Sequence, residues 1–129
     1  MNIYNLLKER NYIDCFPYQS SYDEFERNYD NKKLFVNPPF SKMDKVVEWI
    51  IKQVARNNLI ILMIPARTDT KYFHKLLALM PNIFFIRGRL HYNEKAGAPF
   101  PTIILKFCGP YFHLPLYKAI EQEDIEKIL

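Results

Sequence analysis

Apolar residues follow two different spacings along this 129-residue chain, and the spacings divide it into candidate strands and helices. The longest unbroken apolar run, Leu59–Ile64, does not alternate with polar residues, which is typical of a strand covered on both faces. Before this run, apolar residues recur at helical spacing from Met43 to Val54, so one face of a helix is predicted to be buried. After it, a second helical stripe runs from Tyr72 to Met80. A buried strand between two amphipathic helices predicts a layered α/β arrangement.

Shorter apolar runs complete the predicted sheet. Four further strands are expected, at Tyr12–Ile13, Leu34–Val36, Ile83–Ile86 and Thr102–Phe107. Two further helices are expected, at residues 1–10 and 116–128. The order of these elements predicts an α/β sheet that is parallel at its centre, ends in an antiparallel hairpin and carries helices on its faces. This is an abbreviated Rossmann-like fold, in which ligands gather at the carboxyl ends of the strands.

The turn Asn37-Pro38-Pro39-Phe40 directly follows one of these strands. Each proline fixes φ and lacks a backbone donor, so neither continues a strand or a helix. The turn therefore offers an amide, free carbonyls and an aromatic face to a planar nitrogen-bearing group, such as a nucleobase or a side-chain amide. The alternative is an ordinary strand-to-helix turn, because Pro-Pro is common in loops.

The residues of this turn can support chemistry on an exocyclic amine such as that of adenine. The exocyclic amine of adenine is a poor nucleophile because its lone pair is delocalised into the ring. Two acceptors on its N–H groups draw the nitrogen toward tetrahedral geometry, and the side-chain oxygen of Asn37 and the carbonyl of Pro38 supply such a pair. Phe40 can stack on the base, a contact worth about 1–3 kcal/mol. A base inside a duplex must flip out of the stack to reach such a pocket.

Composition narrows the class of protein. With 49% apolar and 25% charged residues, the chain is predicted to form one globular domain. No apolar run approaches the roughly 20 residues of a membrane span, and no secretory pattern opens the chain, so a cytoplasmic location is expected. Cys15 and Cys108 are far apart, and His74 and His91 lack ligand spacing, so neither a disulfide nor a metal site is predicted. The net charge of +4 permits contact with nucleic acid.

The Asn-Pro-Pro-Phe turn resembles the catalytic motif of amino methyltransferases that use S-adenosylmethionine, in which Asp, Asn or Ser precedes Pro-Pro and an aromatic residue follows. Three later blocks, at residues 62–70, 86–92 and 98–102, are similar to successive blocks of the phage-type DNA N6-adenine methyltransferases, the Dam-like family. The resemblance covers about residues 34–108. It implies methylation of adenine N6 in DNA, and a host cytoplasm if the source is viral.

The resemblance also implies roles for individual residues. Asn37, Pro38, Pro39 and Phe40 would form the catalytic pocket. The predicted substrate-binding positions are Arg67, Asp69, Arg89 and Lys42. Two alternatives stay open from the residues alone: Arg67 and Asp69 could pair with each other at the surface, and Arg89 could be the ordinary solvated end of a strand instead of a phosphate contact.

The cofactor side is predicted to be short. Residues 1–33 contain no glycine-rich turn after the first predicted strand, since all three glycines lie in the final third of the chain. Ile13–Pro17 is similar instead to a segment of compact family members in which Asp is followed by one variable residue, then Phe or Pro, and then Ala. This similarity implies that S-adenosylmethionine is held by Asp14, Phe16 and Asn37. Residues 34–108 then form the catalytic core, and residues 109–129 a C-terminal helix.

Two hypotheses of different classes follow. The first is a DNA adenine N6-methyltransferase that uses S-adenosylmethionine. The second is a catalytically inactive methyltransferase-like protein that binds nucleic acid or a partner subunit, because the cofactor side is short; a second subunit or a homo-oligomer would then supply the missing half. A third interpretation, transfer to RNA adenine or protein glutamine, also stays open, since the four-residue motif occurs in those enzymes too.

Overall fold

A computed structural model describes residues 3–17, 23–91, 97–109 and 114–129. Within these ranges, six strands form a single sheet. The strands are β1 Tyr12–Cys15, β2 Lys33–Val36, β3 Leu59–Pro65, β4 Asn82–Ile86, β5 Thr102–Cys108 and β6 Tyr117–Ile120. Their spatial order is β1-β2-β3-β5-β4-β6, and β5 alone runs antiparallel to its neighbours.

Helices lie on the two faces of this sheet. In the described ranges the α-helices are α1 Ile3–Glu9, α2 Met43–Ala55 and α3 Lys71–Leu77. Short 3-10 helices occur at Glu24–Glu26, Phe40–Lys42 and Gln122–Lys127. None of the helices in the described part of the chain is both long and apolar enough to cross a bilayer.

A hydrophobic core lies on each face of the sheet. One core packs α2 and α3 against the sheet through residues such as Ile50 and Leu76. The other core is closed by Leu7 of α1 and Ile125 of the last 3-10 helix. Strand β3 is buried from Ile60 to Pro65 because its side chains alternate between the two cores. The prediction of a strand covered on both faces is therefore confirmed.

The predicted architecture is confirmed, with one feature of topology that the element order did not reveal. Strands β1, β2 and β3 are parallel, and β4 and β5 form the predicted antiparallel pair. However, β5 inserts between β3 and β4, and pairs with β3 along its whole length from Leu59 to Pro65. The reversed strand therefore lies inside the sheet. As a result, the loop that precedes β5 is brought to the carboxyl end of β3.

The predicted C-terminal helix, expected at residues 109–129 with its helical pattern at 116–128, is wrong. Within the described residues, this segment forms strand β6 and a 3-10 helix. The backbone N–H of Ile83 donates to the carbonyl of Leu116 at 2.8 Å, and that of Arg87 donates to Ile120 at 2.9 Å. Strand pairing thus satisfies the polar edge that β4 would otherwise expose. The 3-10 helix that follows buries Ile125 in the core.

Candidate active site

The Asn37–Phe40 turn, which the sequence predicts to be catalytic, lies at the edge of the sheet where three parallel strands end together. Cys15 of β1 is in register with Val36 of β2, which is in register with Leu62 of β3. Asn37 follows Val36 directly, so the turn begins at the carboxyl end of the central strand of this group. The Asn37–Phe40 turn therefore lies at the carboxyl edge of the parallel strands, where open α/β sheets bind ligands.

Asn37 presents a side-chain amide that makes no hydrogen bond within the described part of the chain. The residue is half-buried, and its side chain has no hydrogen-bond partner among the described residues. Pro38 is buried and Pro39 is exposed, and the carbonyl of Pro39 accepts from the backbone N–H of Lys42 at 3.1 Å. A half-buried polar group without a partner is costly unless a ligand or water satisfies it. The amide of Asn37 is thus available to a bound molecule.

Phe40 opens the 3-10 helix after the prolines and is 39% exposed. Its ring meets the ring of Phe100, with centroids 5.3 Å apart and planes at 84°. Phe100 belongs to the loop before β5, which the sheet topology brings to this edge. The sequence resemblance includes the block at residues 98–102 but gives Phe100 no role in the site, because nothing local to these residues shows which strand β5 pairs with.

Asp14 lies within β1, next to Phe35 of β2. Asn37 is two residues beyond Phe35, and alternate residues of a strand share a face. Extending the geometry of β2 by one residue beyond Val36, with about 4.8 Å between strands and about 3.3 Å of rise per residue, gives an expected separation of roughly 8 Å between the Cα atoms of Asp14 and Asn37. Burial, and to a smaller degree the charge of Glu24, raise the pKa of the Asp14 carboxyl above its ordinary value. A cationic group bound beside Asp14 would offset both effects.

Phe16, the other residue predicted to hold the cofactor, packs inward. It has a left-handed backbone with φ of 60°. Its ring contacts Phe25 at 4.9 Å and Trp49 at 5.1 Å between centroids. This aromatic cluster anchors the segment after β1 onto α2, so the contact of Phe16 with a cofactor stays a prediction from the sequence.

Beside this cluster is a buried carboxylate that the sequence did not reveal. Glu24 is 3% exposed, and its Oε1 accepts from the hydroxyl of Tyr29 at 2.7 Å. Its Oε2 is buried without a hydrogen-bond partner. Burial, followed by the hydrogen bond to Glu24, raises the pKa of the Tyr29 hydroxyl. Burial also raises the pKa of the Cys15 thiol, with Glu24 as the next cause.

The loop at the end of β3 carries two of the predicted substrate-binding residues. Arg67 and Asp69 are both exposed, and no ion pair joins them in the described part of the chain. The loop backbone is nevertheless fixed, because the hydroxyl of Thr70 donates to the carbonyl of Arg67 at 2.8 Å. The ring Nε2 of His74 lies 3.0 Å from the carbonyl of Thr68, which can only accept, so this nitrogen carries the hydrogen. Because no ion pair joins Arg67 and Asp69 in the described residues, the alternative that these two side chains pair with each other at the surface is wrong.

The remaining two predicted residues are exposed cations. Lys42 ends the 3-10 helix Phe40–Lys42, next to the start of α2. Arg89 follows Gly88, whose φ is 75°, in the segment after β4. Arg87 differs from Arg89 because it is paired with Glu121 at 3.3 Å. Only Arg89 of these two arginines is thus left without an ion-pair partner in the described ranges.

Most of the chain matches the model of a known protein family. The model of the family described as DNA N-6-adenine-methyltransferase (Dam) matches residues 9–100, which is more than two thirds of the chain. The chain therefore belongs to the Dam family of DNA N6-adenine methyltransferases. The match extends from β1 to Phe100, so it includes the Asp14 segment, which lies before the 34–108 span of the sequence resemblance. No curated protein and no solved structure matched the chain.

The family implies S-adenosylmethionine as methyl donor, and the residues at the edge suit such a molecule. The half-buried Asp14 carboxyl is suited to a cation, and the Asn37 amide is unused within the described residues. No group of three or more His, Cys, Asp or Glu side chains arranged to hold a metal ion occurs in the described ranges.

Proposed function

We propose that this protein transfers a methyl group from S-adenosylmethionine to the exocyclic N6 of an adenine flipped out of DNA. The observation that carries the proposal is the side-chain amide of Asn37, which has no hydrogen-bond partner among the described residues and lies in sequence between a buried strand and the Pro38-Pro39-Phe40 segment. An asparagine with only a structural role at such a turn would be expected to bond to neighbouring backbone.

The acceptor side of the reaction is assigned to Asn37 and Pro38. The side-chain oxygen of Asn37 and the carbonyl of Pro38 accept from the two N–H groups of N6 and localise the lone pair on nitrogen. N6 would form its new bond to the methyl carbon as the carbon–sulfur bond of the donor breaks, and the sulfur would leave as an uncharged thioether. The extra proton on N6 becomes acidic only as the new N–C bond forms, so it would pass to water and no strong general base is needed. Catalysis then comes mainly from alignment and electrostatic stabilisation.

The base is held by stacking. Phe40 is exposed enough to cover one face of a purine, and stacking of this kind is worth about 1–3 kcal/mol. This contact offsets part of the few kcal/mol that unstacking and unpairing a base requires. The same contact gives no strong selection between bases. The two acceptors need an exocyclic amine and therefore exclude thymine, whereas the choice of adenine over cytosine and guanine rests on membership of the family.

The methyl donor is assigned to the side of the pocket formed by Asp14. S-adenosylmethionine, when bound, supplies an activated methyl group on a positively charged sulfur. Asp14 would accept from the ammonium group of its methionine part, and its raised pKa makes this carboxyl sensitive to a neighbouring cation. Asn37 lies roughly 8 Å from Asp14 along the same face, so both ends of the donor would be within reach of one pocket.

Contacts with the DNA backbone are assigned to exposed cations around the edge. Lys42, Arg67 and Arg89 are exposed, and none is engaged in an ion pair within the described residues. Phosphate contacts of this kind orient a duplex without reading its sequence. Asp69 projects from the same loop as Arg67, and it would contact the substrate as an acceptor for an amine or a ring N–H.

Two substitutions at one position test the proposal. Asn37→Ala removes the side-chain acceptor, and methyl transfer to DNA should fall by at least about 100-fold, as for removal of a transition-state hydrogen bond in other enzymes. Asn37→Asp keeps an acceptor oxygen at the same place and should retain measurable activity. Binding of S-adenosylmethionine, measured by calorimetry, reports separately on the donor side. Equal activity of the alanine variant and the wild type would show that the pocket is misassigned.

A further inference from the structure

An aromatic contact joins the catalytic turn to a loop that has no role so far. The rings of Phe40 and Phe100 are nearly perpendicular, at 84°, and their centroids are 5.3 Å apart. Phe100 itself is half-buried and packs against the core on the α1 face of the sheet. Edge-to-face pairs have a preferred geometry, so each ring restricts the orientation of the other.

The position of Phe100 is fixed on its carboxyl side by β3. Pro99 and Pro101 flank Phe100 and restrict the φ angles of the loop. The carbonyl of Pro101 accepts from the backbone N–H of Ala66, immediately after β3, at 2.9 Å. Thr102 then enters β5 in register with Pro65. The loop before β5 is therefore attached to the same strand end that carries the Arg67–Thr70 loop.

The position of Phe100 is fixed on its amino side by the segment after β4. The backbone N–H of Ala98 donates to the carbonyl of Leu90 at 2.7 Å, and Gly97 forms a β-bridge with His91. A Cβ atom added at Gly97 would lie 2.7 Å from the Cβ of Arg89, so the close approach of the two segments requires glycine. The three downstream blocks of the sequence thus converge on the loop that holds Phe100.

We propose that Phe100 is a positioning residue of the methyl-transfer site: it holds the ring of Phe40 in the orientation that stacks on the flipped adenine, and it closes the pocket as a second, perpendicular wall. This inference rests on the proposed function and adds a residue to that site. A base stacked on Phe40 lies parallel to that ring and nearly at right angles to Phe100. In this proposal the face of Phe100 is turned toward the edge of Phe40, so Phe100 limits how far a base stacked on Phe40 can slide toward it.

Sliding matters because the reaction depends on alignment. N6 must point at the methyl group of the donor while its two N–H groups stay on Asn37 and Pro38. A displacement of the reacting atom by 1 Å can reduce the rate by about 100-fold. Loss of the wall should therefore reduce the rate of the chemical step while the affinity for the donor, which lies on the Asp14 side, stays the same.

The experiment compares Phe100→Leu, Phe100→Tyr and the matched control Phe85→Leu. Phe85 is a phenylalanine of β4 that is 45% exposed; it makes no ring contact in the described part of the chain. Phe100→Leu should lower the single-turnover rate of DNA methylation by about tenfold or more, with the Kd for S-adenosylmethionine changed by less than about twofold. Phe100→Tyr keeps the ring and should restore the rate to within about threefold of the wild type. Phe85→Leu should leave both quantities unchanged.

A second readout does not depend on activity. In protein labelled with carbon-13 on phenylalanine, relaxation of the Phe40 ring reports its motion on the picosecond-to-nanosecond timescale. Phe100→Leu should increase this motion, and Phe85→Leu should not. A Phe40 ring equally ordered in Phe100→Leu and in the wild type would overturn the inference, and so would a wild-type rate in an active Phe100→Leu enzyme. Failure of the wild type to methylate DNA would instead count against the proposed function.

Discussion

Replacing Asp14 with asparagine separates a cofactor-binding role of this residue from a structural one. The substitution keeps the size and shape of the side chain and removes its negative charge. Asp14 is half-buried in β1, and burial is the largest cause of the raised pKa of its carboxyl, followed by the charge of Glu24. Burying the charged form of Asp14 therefore costs more folding free energy than burying a neutral side chain of the same size at this position.

The expected loss of affinity follows from the contact assigned to Asp14. A hydrogen bond to a charged partner is worth about 1.5–3 kcal/mol. Because Asp14 is partly exposed, water screens the charge and the lower half of this range applies. The Kd for S-adenosylmethionine should accordingly rise about tenfold or somewhat more in Asp14→Asn. The affinity of the wild type should also fall as the pH is lowered toward the ordinary aspartate pKa of 3.8, because Asp14 becomes protonated above that value.

Stability should change in the opposite direction. A carboxyl whose pKa is raised by folding favours the folded state when it is protonated, and this contribution is lost as the pH rises through the folded-state pKa. At neutral pH the charged Asp14 is thus a cost to folding, and Asp14→Asn should melt at the same temperature as the wild type or at a higher one. At a pH below the ordinary value of 3.8, this gain should disappear.

Calorimetry with S-adenosylmethionine and thermal unfolding at two pH values measure both effects. Asp44→Asn, an exposed position in the first turn of α2, is the matched control and should leave the Kd unchanged. An unchanged Kd in Asp14→Asn, together with a lower melting temperature at neutral pH, would refute the reasoning and make Asp14 a structural residue.

Two further substitutions test other parts of the account. Tyr29→Phe removes the 2.7 Å hydrogen bond to the buried carboxyl of Glu24 and should reduce the free energy of unfolding in urea by about 1.5–3 kcal/mol. Tyr72→Phe, at a half-buried tyrosine whose hydroxyl makes no hydrogen bond in the described residues, should cost less than about 0.5 kcal/mol. Equal effects of the two substitutions would contradict the role of Glu24. Gly97→Ala places a Cβ 2.7 Å from that of Arg89 and should shift the loop that holds Phe100, so methylation should slow more than the Kd for S-adenosylmethionine rises; wild-type methylation would contradict the fixed position of this loop.

Local periodicity was sufficient to predict most elements of the fold. The run Leu59–Ile64 forms a strand because every second side chain belongs to a different core. The stripe from Met43 to Val54 forms a helix because its apolar positions share one face, and α2 ends at Ala55. The spacing of apolar residues within each of these segments determines its secondary structure, and the neighbouring elements bury the apolar faces that result.

The strand order and the C-terminal segment depend on long-range pairing instead. Residues 116–128 have a helical pattern, but the edge of β4 needs hydrogen-bond partners. The carbonyls of Leu116, just before β6, and of Ile120 accept these hydrogen bonds. No property of residues 116–128 alone indicates that β4 has a free edge. The position of β5 between β3 and β4 is similarly a property of the whole sheet.

The candidate site shows the same division. Asn37 and Phe40 could be predicted as site residues because they belong to one motif of four consecutive residues. Phe100 joins them only through the placement of β5, and Glu24 was missed because charged residues are usually exposed. A buried glutamate has no local signal in a segment that contains exposed acidic residues such as Asp23 and Glu26.

Product analysis tests the central claim most directly. Duplex DNA is incubated with the protein and S-adenosylmethionine carrying a trideuterated methyl group, digested to nucleosides and examined by mass spectrometry. The account predicts trideuterated N6-methyldeoxyadenosine with the wild type, and at least about 100-fold less with Asn37→Ala. Absence of this nucleoside with a wild-type protein that binds the cofactor, or appearance of the label on cytosine instead, would contradict it.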